Sequence, residues 1–503
     1  MSRTLTQAAA LVGGSLLGPD AVVDGPVVTD SRQVRPGSLF VAVRGERTDG
    51  HAHLASALER GAVGALVTSL QAARESLAAV TPQSVQEASR VLPGSGATRG
   101  SQETAADLPL GLVVVPDTVE ALGALARAHL ADLRRTALAR GSRLDVVAMT
   151  GSVGKTTTKD LTRQVLAACG PTVAPQASFN NEIGLPLTVL EADETTRYLV
   201  LEMGASGPGH IDYLTGIAPL DAAAVLMVGH AHMGGFGSIE GVAQAKEEIL
   251  SGLLPGGTAL LNTDDERAAA MASSAPGPVL TFSASGGRAD LRASDVVVGQ
   301  GARASFTLSL PGLAEPRRVH LAVPGAHNVS NALAAAGLAL AAGAAAEVVA
   351  DQLGQVEIES PHRMDVAVLG GDLLLIDDSY NANIDSMTAA LAALPALAGQ
   401  RRRVVVVSEM LELGEASVAD HARTGLLAAQ AGVDLLVGIG AGAEPALESA
   451  RAKGVEAVGL ADAQEAVAQA STLLRDGDAV LVKGSHGSGA WRLADHLKEA
   501  RPR

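Results

Sequence analysis

Three α/β domains built on largely parallel sheets are the fold this sequence predicts, and three observations lead there. Strand-like apolar runs alternate with helical stretches along nearly the whole chain, the pattern of repeated β-α-β units. A glycine-broken turn, AMTGSVGKTTT at 148–158, joins an apolar strand (Val146 to Met149) to a helix beginning near Lys155. The length of 503 residues divides into about three domains at ~150 residues each.

The elements follow in order. Residues 1–117 form the first domain. It opens on a short helix and turn over Ala8 to Leu17, whose Gly13-Gly14 pair and weak hydrophobicity set it apart from a signal peptide. Ser69 to Asp107 breaks the α/β rhythm with Ser, Gln, Pro and Gly (PGSGATRGSQ at 93–102), and its composition predicts a flexible, solvated insertion. A strand at Leu112 to Val115 and a helix at Thr118 to Arg135 lead into the phosphate loop of the second domain, 118–357. Ala332 to Ala346 is apolar but shorter than the ~20 residues that span a bilayer, so it reads as a buried helix. SPHRM, near 360–364, interrupts the pattern and opens the third domain, 358–503. Apolar strands at 373–376, 404–407, 435–439 and 479–482 give it a Rossmann-like character.

Composition narrows the partners. Only 2% of residues are aromatic, so the cores must be packed from Leu, Val and Ala. The net charge of −16 argues against nucleic acid, whose phosphates call for basic patches. Cys169 is the only cysteine, which rules out a disulfide within the chain and fits a cytoplasmic protein without membrane insertion.

The turn at 148–158 is a phosphate cradle. The segment Thr150, Gly151, Ser152, Val153, Gly154, Lys155, Thr156 and Thr157 is expected to bind ATP: backbone N–H groups of such a loop converge on an anion at a helix N-terminus, Lys155 would neutralise it, and the Thr156 hydroxyl can hold Mg²⁺. The loop is shorter than G-x-x-x-x-G-K-[ST], since Met149 stands where that pattern has its first glycine. Four further segments carry chemistry. LVLEMGAS (199–206) ends a strand in Glu202, a hard oxygen donor for Mg²⁺ if it faces the loop and a solvated strand end if it does not. VGHAHMGGFGSIEGVAQAKEEIL (228–250) has His232 in a glycine-rich turn and Lys246 on the next helix. PGAHNVSNALAA (324–335) offers His327, Asn328 and Asn331 to a nucleotide base, or else to helix capping. LIDDSYNANIDSM (375–387) runs a strand into a polar loop, where Asp378, Ser379, Tyr380, Asn381 and Asn383 can reach a phosphate, ribose or base, or simply form Asx turns. Arg363, just before that strand, is placed to meet a transferring phosphoryl group when domains close.

In this order, TGSVGKTT, LVLEMG, the His232–Lys246 segment, PGAHNVSN and DDSYNAN resemble the ATP-dependent Mur ligases across nearly the whole chain. The resemblance implies an N-terminal UDP-recognising α/β domain, carried on TDSRQVRPGSLFVAVRGERTDGH (29–51), with Ser31, Arg32, Phe40 and Gly45 as substrate contacts. It implies that Asn180 and Asn181, in SFNNEIGLPLTVL (178–190), orient a nucleotide-sugar. A central P-loop ATPase domain and a C-terminal Rossmann-like ligase domain complete the expected architecture. The implied reaction is amide formation driven by ATP through an acyl phosphate. The implied metals are two Mg²⁺ ions, one held by Thr156 and Glu202 and one by His232 and a CO₂-derived carbamate on Lys246; Lys155, Lys246, His232 and Arg363 are the implied catalytic groups. Within the family, SFNNEIG, DDSYNAN and the absence of a DNPR segment favour UDP-N-acetylmuramoyl-tripeptide and D-alanyl-D-alanine as substrates of a monomeric enzyme. A tripeptide-forming or folylpolyglutamate-synthase-like ligase, or an inactive ATP-binding paralogue, stay open as alternatives. Ile384, Ser408-Glu409, Met227-Val228-Gly229 and HGSGAW (486–491) depart from the usual family pattern.

Overall fold

The computed structural model describes residues 2–45, 48–78, 108–229 and 236–502. Two compact units divide the chain: Met1–Asp145 with Phe179–Leu199 and Gly216–Ala218, and Val146–Ser178 with Val200–Thr215 and Pro219–Arg503.

The first unit is built on a five-stranded sheet in the order Ser15–Leu17, Gly111–Val114, Gly64–Val67, Leu39–Val41, Val27–Val28. The Ser15–Leu17 edge strand is antiparallel to its neighbour and the other pairs are parallel. The opening helix, Leu5–Val12, carries a capping box at Thr4 and ends at Gly13 with φ 65°. It inserts Leu5 into the sheet at Gly64 and Gly111, where an added Cβ would lie 2.4 and 2.3 Å from the leucine side chain. Helix Thr118–Ala139, capped by Asp117, stays with this unit and packs on Gly184–Glu191. The segment expected to be a flexible insertion begins with a helix, Leu70–Leu77, capped by Ser69 and anchored by Ala73 and Leu77; its remainder, 79–107, falls outside the described residues.

The second unit holds two sheets. One has nine strands in the order Arg317–Pro324, Arg303–Ser309, Leu291–Val298, Val279–Ser283, Leu253–Asn262, Leu220–Val225, Asp145–Thr150, Tyr198–Glu202, Thr172–Val173. Its Val279–Ser283, Leu253–Asn262, Leu220–Val225 and Asp145–Thr150 strands run parallel, while the three strands between 291 and 324 form an antiparallel meander. Helix Asn328–Ala341 covers this sheet with most of its length buried; Gly337 lets it approach Leu260, which an added Cβ would meet at 2.6 Å. The other sheet has six strands, Asp365–Leu369, Leu373–Asp378, Ala479–Lys483, Arg403–Ser408, Leu435–Ile439 and Glu456–Leu460, parallel except for the first pair. Apolar side chains line both faces of it, as a parallel sheet covered by helices requires.

Candidate active site

The loop after strand Asp145–Thr150 leads into helix Lys155–Ala167, and Gly154 at its N-cap adopts φ 87°. No side chain caps this helix, so its first amides are left for an anion. The Thr150 hydroxyl is fully buried and has no hydrogen-bond partner among the described residues. Such an orphan inside a phosphate loop is the mark of a ligand oxygen that belongs there. Ser152 plays a different part: its amide bonds to the Met227 carbonyl and its hydroxyl exchanges hydrogen bonds with the backbone of Gly229. It ties the loop to the neighbouring strand's end, and its amide and hydroxyl are already engaged there. The Lys155 ammonium donates to the Gly151 carbonyl at 2.7 Å. Burial pushes its pKa down, with Glu202 pulling it up and Arg363 adding to the depression.

Gly154 has a second reason to be glycine: a Cβ there would sit 2.5 Å from Asn331 Oδ1. Gly154→Ala meets that clash and a left-handed backbone costing about 1–2 kcal/mol for an L-residue. The expected result is a loss of ATP affinity of about tenfold or more, read by equilibrium binding of a fluorescent nucleotide, with the thermal transition lowered by the same strain; unaltered affinity would contradict the loop's assignment.

Beside the loop, the Thr156 hydroxyl lies 3.2 Å from Ser178 Oγ, and Ser178 in turn donates to Glu202. Glu202 is fully buried and Thr156 nearly so. The two expected metal donors are therefore one serine apart; sequence reasoning quoted Ser178 without giving it a role. Arg363 reaches the same point, its Nη2 donating to Thr156 Oγ1 at 3.1 Å. Its guanidinium rests 4.2 Å from the centre of the Tyr380 ring, and its buried Nε has no partner among the described residues. Lys246, on helix Ile239–Ser251, is buried, and burial followed by the Lys155 charge brings its pKa down to about 7. His232 lies outside the described residues. Hydroxyl and carboxylate oxygens, a lysine, an arginine and an orphan hydroxyl fit a magnesium–triphosphate group in charge and donor type.

The segments expected at the nucleotide's base divide. Asn328 is fully buried; it donates to the Pro324 carbonyl at 2.6 Å and accepts from Asn331 at 2.7 Å. Asn331 accepts from Thr158 at 3.4 Å. This pair braces the phosphate helix. His327 is exposed, and the protein packed around it lowers its pKa, with Asp378 raising and Lys483 lowering it. Asp378 is held by Lys483 at 2.6 Å, and the same ammonium donates to the Asn381 carbonyl. Asn383 Oδ1 caps helix Ile384–Ala398 through the Ser386 amide at 2.8 Å, so its side chain has a structural role at the helix start. Lys483, at the end of a parallel strand, is a further residue sequence reasoning passed over; a strand ending in Lys-Gly-Ser was the available signal.

In the first unit, Ser31 and Arg32 form a 3-10 turn capped by Asp30, and Arg32 pairs with Asp30 in solvent. Gly45 is exposed, its amide bonded to the Thr48 carbonyl. Asn181 Oδ1 accepts the Gly184 amide at 2.9 Å and starts helix Gly184–Glu191, with Asn180 beside it in sequence. Phe40 corrects an expectation. It is 0% exposed in the core of the five-stranded sheet, because strand Leu39–Val41 is an inner strand buried on both faces; its side chain packs in that core and presents no exposed surface.

Together these features define a strand, glycine turn and helix whose lysine, hydroxyl and carboxylate are met by an arginine from the linker ahead of a second, Rossmann-like sheet. The chain belongs to the Mur ligase family. Residues 26–129 match the Mur ligase family catalytic domain, 149–339 the Mur ligase middle domain, and 362–486 the Mur ligase glutamate ligase domain. It is 38% identical to the UDP-N-acetylmuramoyl-tripeptide–D-alanyl-D-alanine ligase of Mycobacterium leprae, covering 98% of each chain. To the enzyme of that name from Escherichia coli it is 35% identical over 99% of each. A crystal structure of MurF from Acinetobacter baumannii superposes with a TM-score of 0.80 at 29% identity, covering 99% of each chain. The three-domain architecture of these ligases is that of this chain.

Proposed function

We propose that this chain joins D-alanyl-D-alanine to the terminal carboxylate of UDP-N-acetylmuramoyl-tripeptide at the expense of ATP, a step of peptidoglycan precursor synthesis, as a cytoplasmic monomer. The observation that carries the reading is the meeting of Thr156, Glu202 and Arg363 beside Lys155 at one loop, in a chain that matches the relatives over 98% of their length.

A carboxylate is a poor acyl donor, because its leaving group would be oxide. One carboxylate oxygen attacks the γ-phosphorus of ATP and ADP leaves, giving an acyl phosphate. The amine of the dipeptide then attacks the carbonyl carbon, loses a proton, and phosphate departs from the tetrahedral intermediate. The protein's share is positioning and charge neutralisation. Lys155 and the loop amides hold the β- and γ-phosphates, and the Thr150 hydroxyl finds its missing partner there. Thr156 and Glu202 would hold one Mg²⁺, and a carbamate on Lys246 with His232 would hold a second; when bound, the metal would supply charge neutralisation at the phosphoryl oxygens. Arg363 supplies a further cation at that group, while Asp378, Tyr380, Asn381 and His327 border the nucleoside. Ser31, Arg32, Gly45, Asn180 and Asn181 orient the nucleotide-sugar.

The test is phosphate release from ATP and Mg²⁺ with the UDP-linked tripeptide, with and without D-alanyl-D-alanine, followed by the product's mass. Release that needs both substrates and yields the UDP-linked pentapeptide is the expected result. Release with a single amino acid in place of the dipeptide would move the chain to another ligase of the family, and no release with bound ATP would make it an inactive paralogue.

A further inference from the structure

The helix that follows the phosphate loop carries a buried ion pair with no part in binding phosphate. Lys159 and Asp160 are each 1% exposed and lie 2.6 Å apart. Charges are kept so deep only where every donor and acceptor is met, and here the partners come from the linker between the nucleotide and ligase sheets. Asp160 Oδ2 accepts the amides of Glu359 at 3.1 Å and Ser360 at 2.9 Å, and its Oδ1 accepts the Ser360 hydroxyl at 3.0 Å. Lys159 donates to the same hydroxyl at 3.0 Å and to the Pro175 carbonyl at 2.7 Å. One turn on, Gln164 exchanges hydrogen bonds with both backbone groups of Glu357 (2.6 and 3.0 Å), and Arg163 Nε pairs with Glu359 at 2.7 Å. Residues 357–360 are thus fastened to the phosphate helix.

The other side of the linker is fastened to the ligase sheet. His362 and Met364 both take left-handed backbone conformations, φ 59° and 48°, which non-glycine residues hold only when their surroundings impose them. The His362 carbonyl accepts the Tyr380 amide at 3.2 Å, its Nδ1 lies 2.8 Å from buried Asp377, and the Met364 amide donates to Asp378 at 3.2 Å. Lys498 donates to Asp377 at 2.7 Å, so an ammonium already balances that carboxylate and the cluster acts as a clamp. Arg363 stands between the two strained residues. Only Pro361 separates the clamp on the phosphate helix from the clamp on the ligase sheet, and two peptide links span at most about 7 Å.

We infer that Lys159, Asp160 and Ser360 are positioning residues that register the linker against the phosphate helix and thereby hold Arg363 on the phosphoryl site. This rests on the ATP-dependent reading above. A shift of the Glu359–Ser360 backbone passes directly to Arg363, and misplacement by about 1 Å at a reacting group can cost up to about 10²-fold in rate.

The experiment is a double-mutant cycle. Asp160→Asn and Ser360→Ala are made alone and with Arg363→Ala, and kcat and KM for ATP are measured. Asp160→Asn is expected to lower kcat by up to about 10²-fold and Ser360→Ala by severalfold, each with little change in KM. In the Arg363→Ala background neither should cost anything more. Equal losses in both backgrounds, or no loss in either, would overturn the inference. Ser360→Ala leaves the ion pair in place and carries the cycle if Asp160→Asn does not fold. Hydrogen exchange at the Glu359 and Ser360 amides needs no turnover: protection in the wild type that is lost in Asp160→Asn supports the clamp, and fast exchange in the wild type contradicts it. A wild type that turns over no ATP while those amides are protected would sink the catalytic reading and leave the clamp standing.

Discussion

Lys155→Ala is expected to lower turnover by at least about 10²–10³, the usual cost of removing a positioned group that stabilises developing charge. Lys155 is the one cation carried by the phosphate loop itself, and its ammonium now rests on the Gly151 carbonyl, a bond it can exchange for a phosphate oxygen without moving the backbone. Its charge is disfavoured by burial, so the free protein should be no less stable to heat without it. Loss of activity with an unchanged melting temperature separates a catalytic role from a folding one. The effect extends further, because Lys155 is one of the two causes that depress the Lys246 pKa; removing it should return Lys246 toward its ordinary value. Near-normal turnover in Lys155→Ala would contradict the account of the loop.

Lys246→Ala is expected to cause a comparable loss, and wild-type activity should depend on CO₂. Carbamate forms when a neutral amine attacks CO₂ and releases a proton. With a pKa of about 7, Lys246 is about nine-tenths neutral at pH 8, whereas an ordinary lysine is well under one per cent neutral there. The direction in pH follows: the folded-state pKa lies below the usual value, so the reactive neutral form prevails above pH 7 and is lost as pH falls through it. Activity in CO₂-free buffer should therefore be low and restored by bicarbonate at pH 8, with weaker restoration at pH 6. A carbamate carbon signal after ¹³C-bicarbonate labelling, absent in Lys246→Ala, would locate it. Full activity without CO₂ would mean that the amine itself suffices.

What the sequence made legible was local. The phosphate loop is read from one strand, one turn and one helix, and strand Asp145–Thr150 and helix Lys155–Ala167 fall where the glycines and the apolar run put them. The strands of the C-terminal sheet at 373, 404, 435 and 479 were legible for the same reason: continuous apolar runs mark strands buried on both faces. Edge strands Asp365–Leu369 and Glu456–Leu460 escaped, since half-exposed residues break the run. Phe40 escaped in the other direction: Arg32 and Gly45 of its motif are exposed, and nothing in the spacing showed that its own strand is internal. Ser178 and the Lys159–Asp160–Ser360 clamp could not be read at all, because their meaning comes from residues some twenty to two hundred positions away.

The most direct test of the central claim, phosphoryl transfer to the substrate's carboxylate, is the fate of that carboxylate's oxygen. With both terminal carboxylate oxygens of the UDP-linked tripeptide labelled with ¹⁸O, turnover with ATP and D-alanyl-D-alanine should release phosphate carrying one ¹⁸O and leave the other in the new amide. Unlabelled phosphate would mean that water takes the phosphoryl group, and the chain would be an ATPase rather than a ligase.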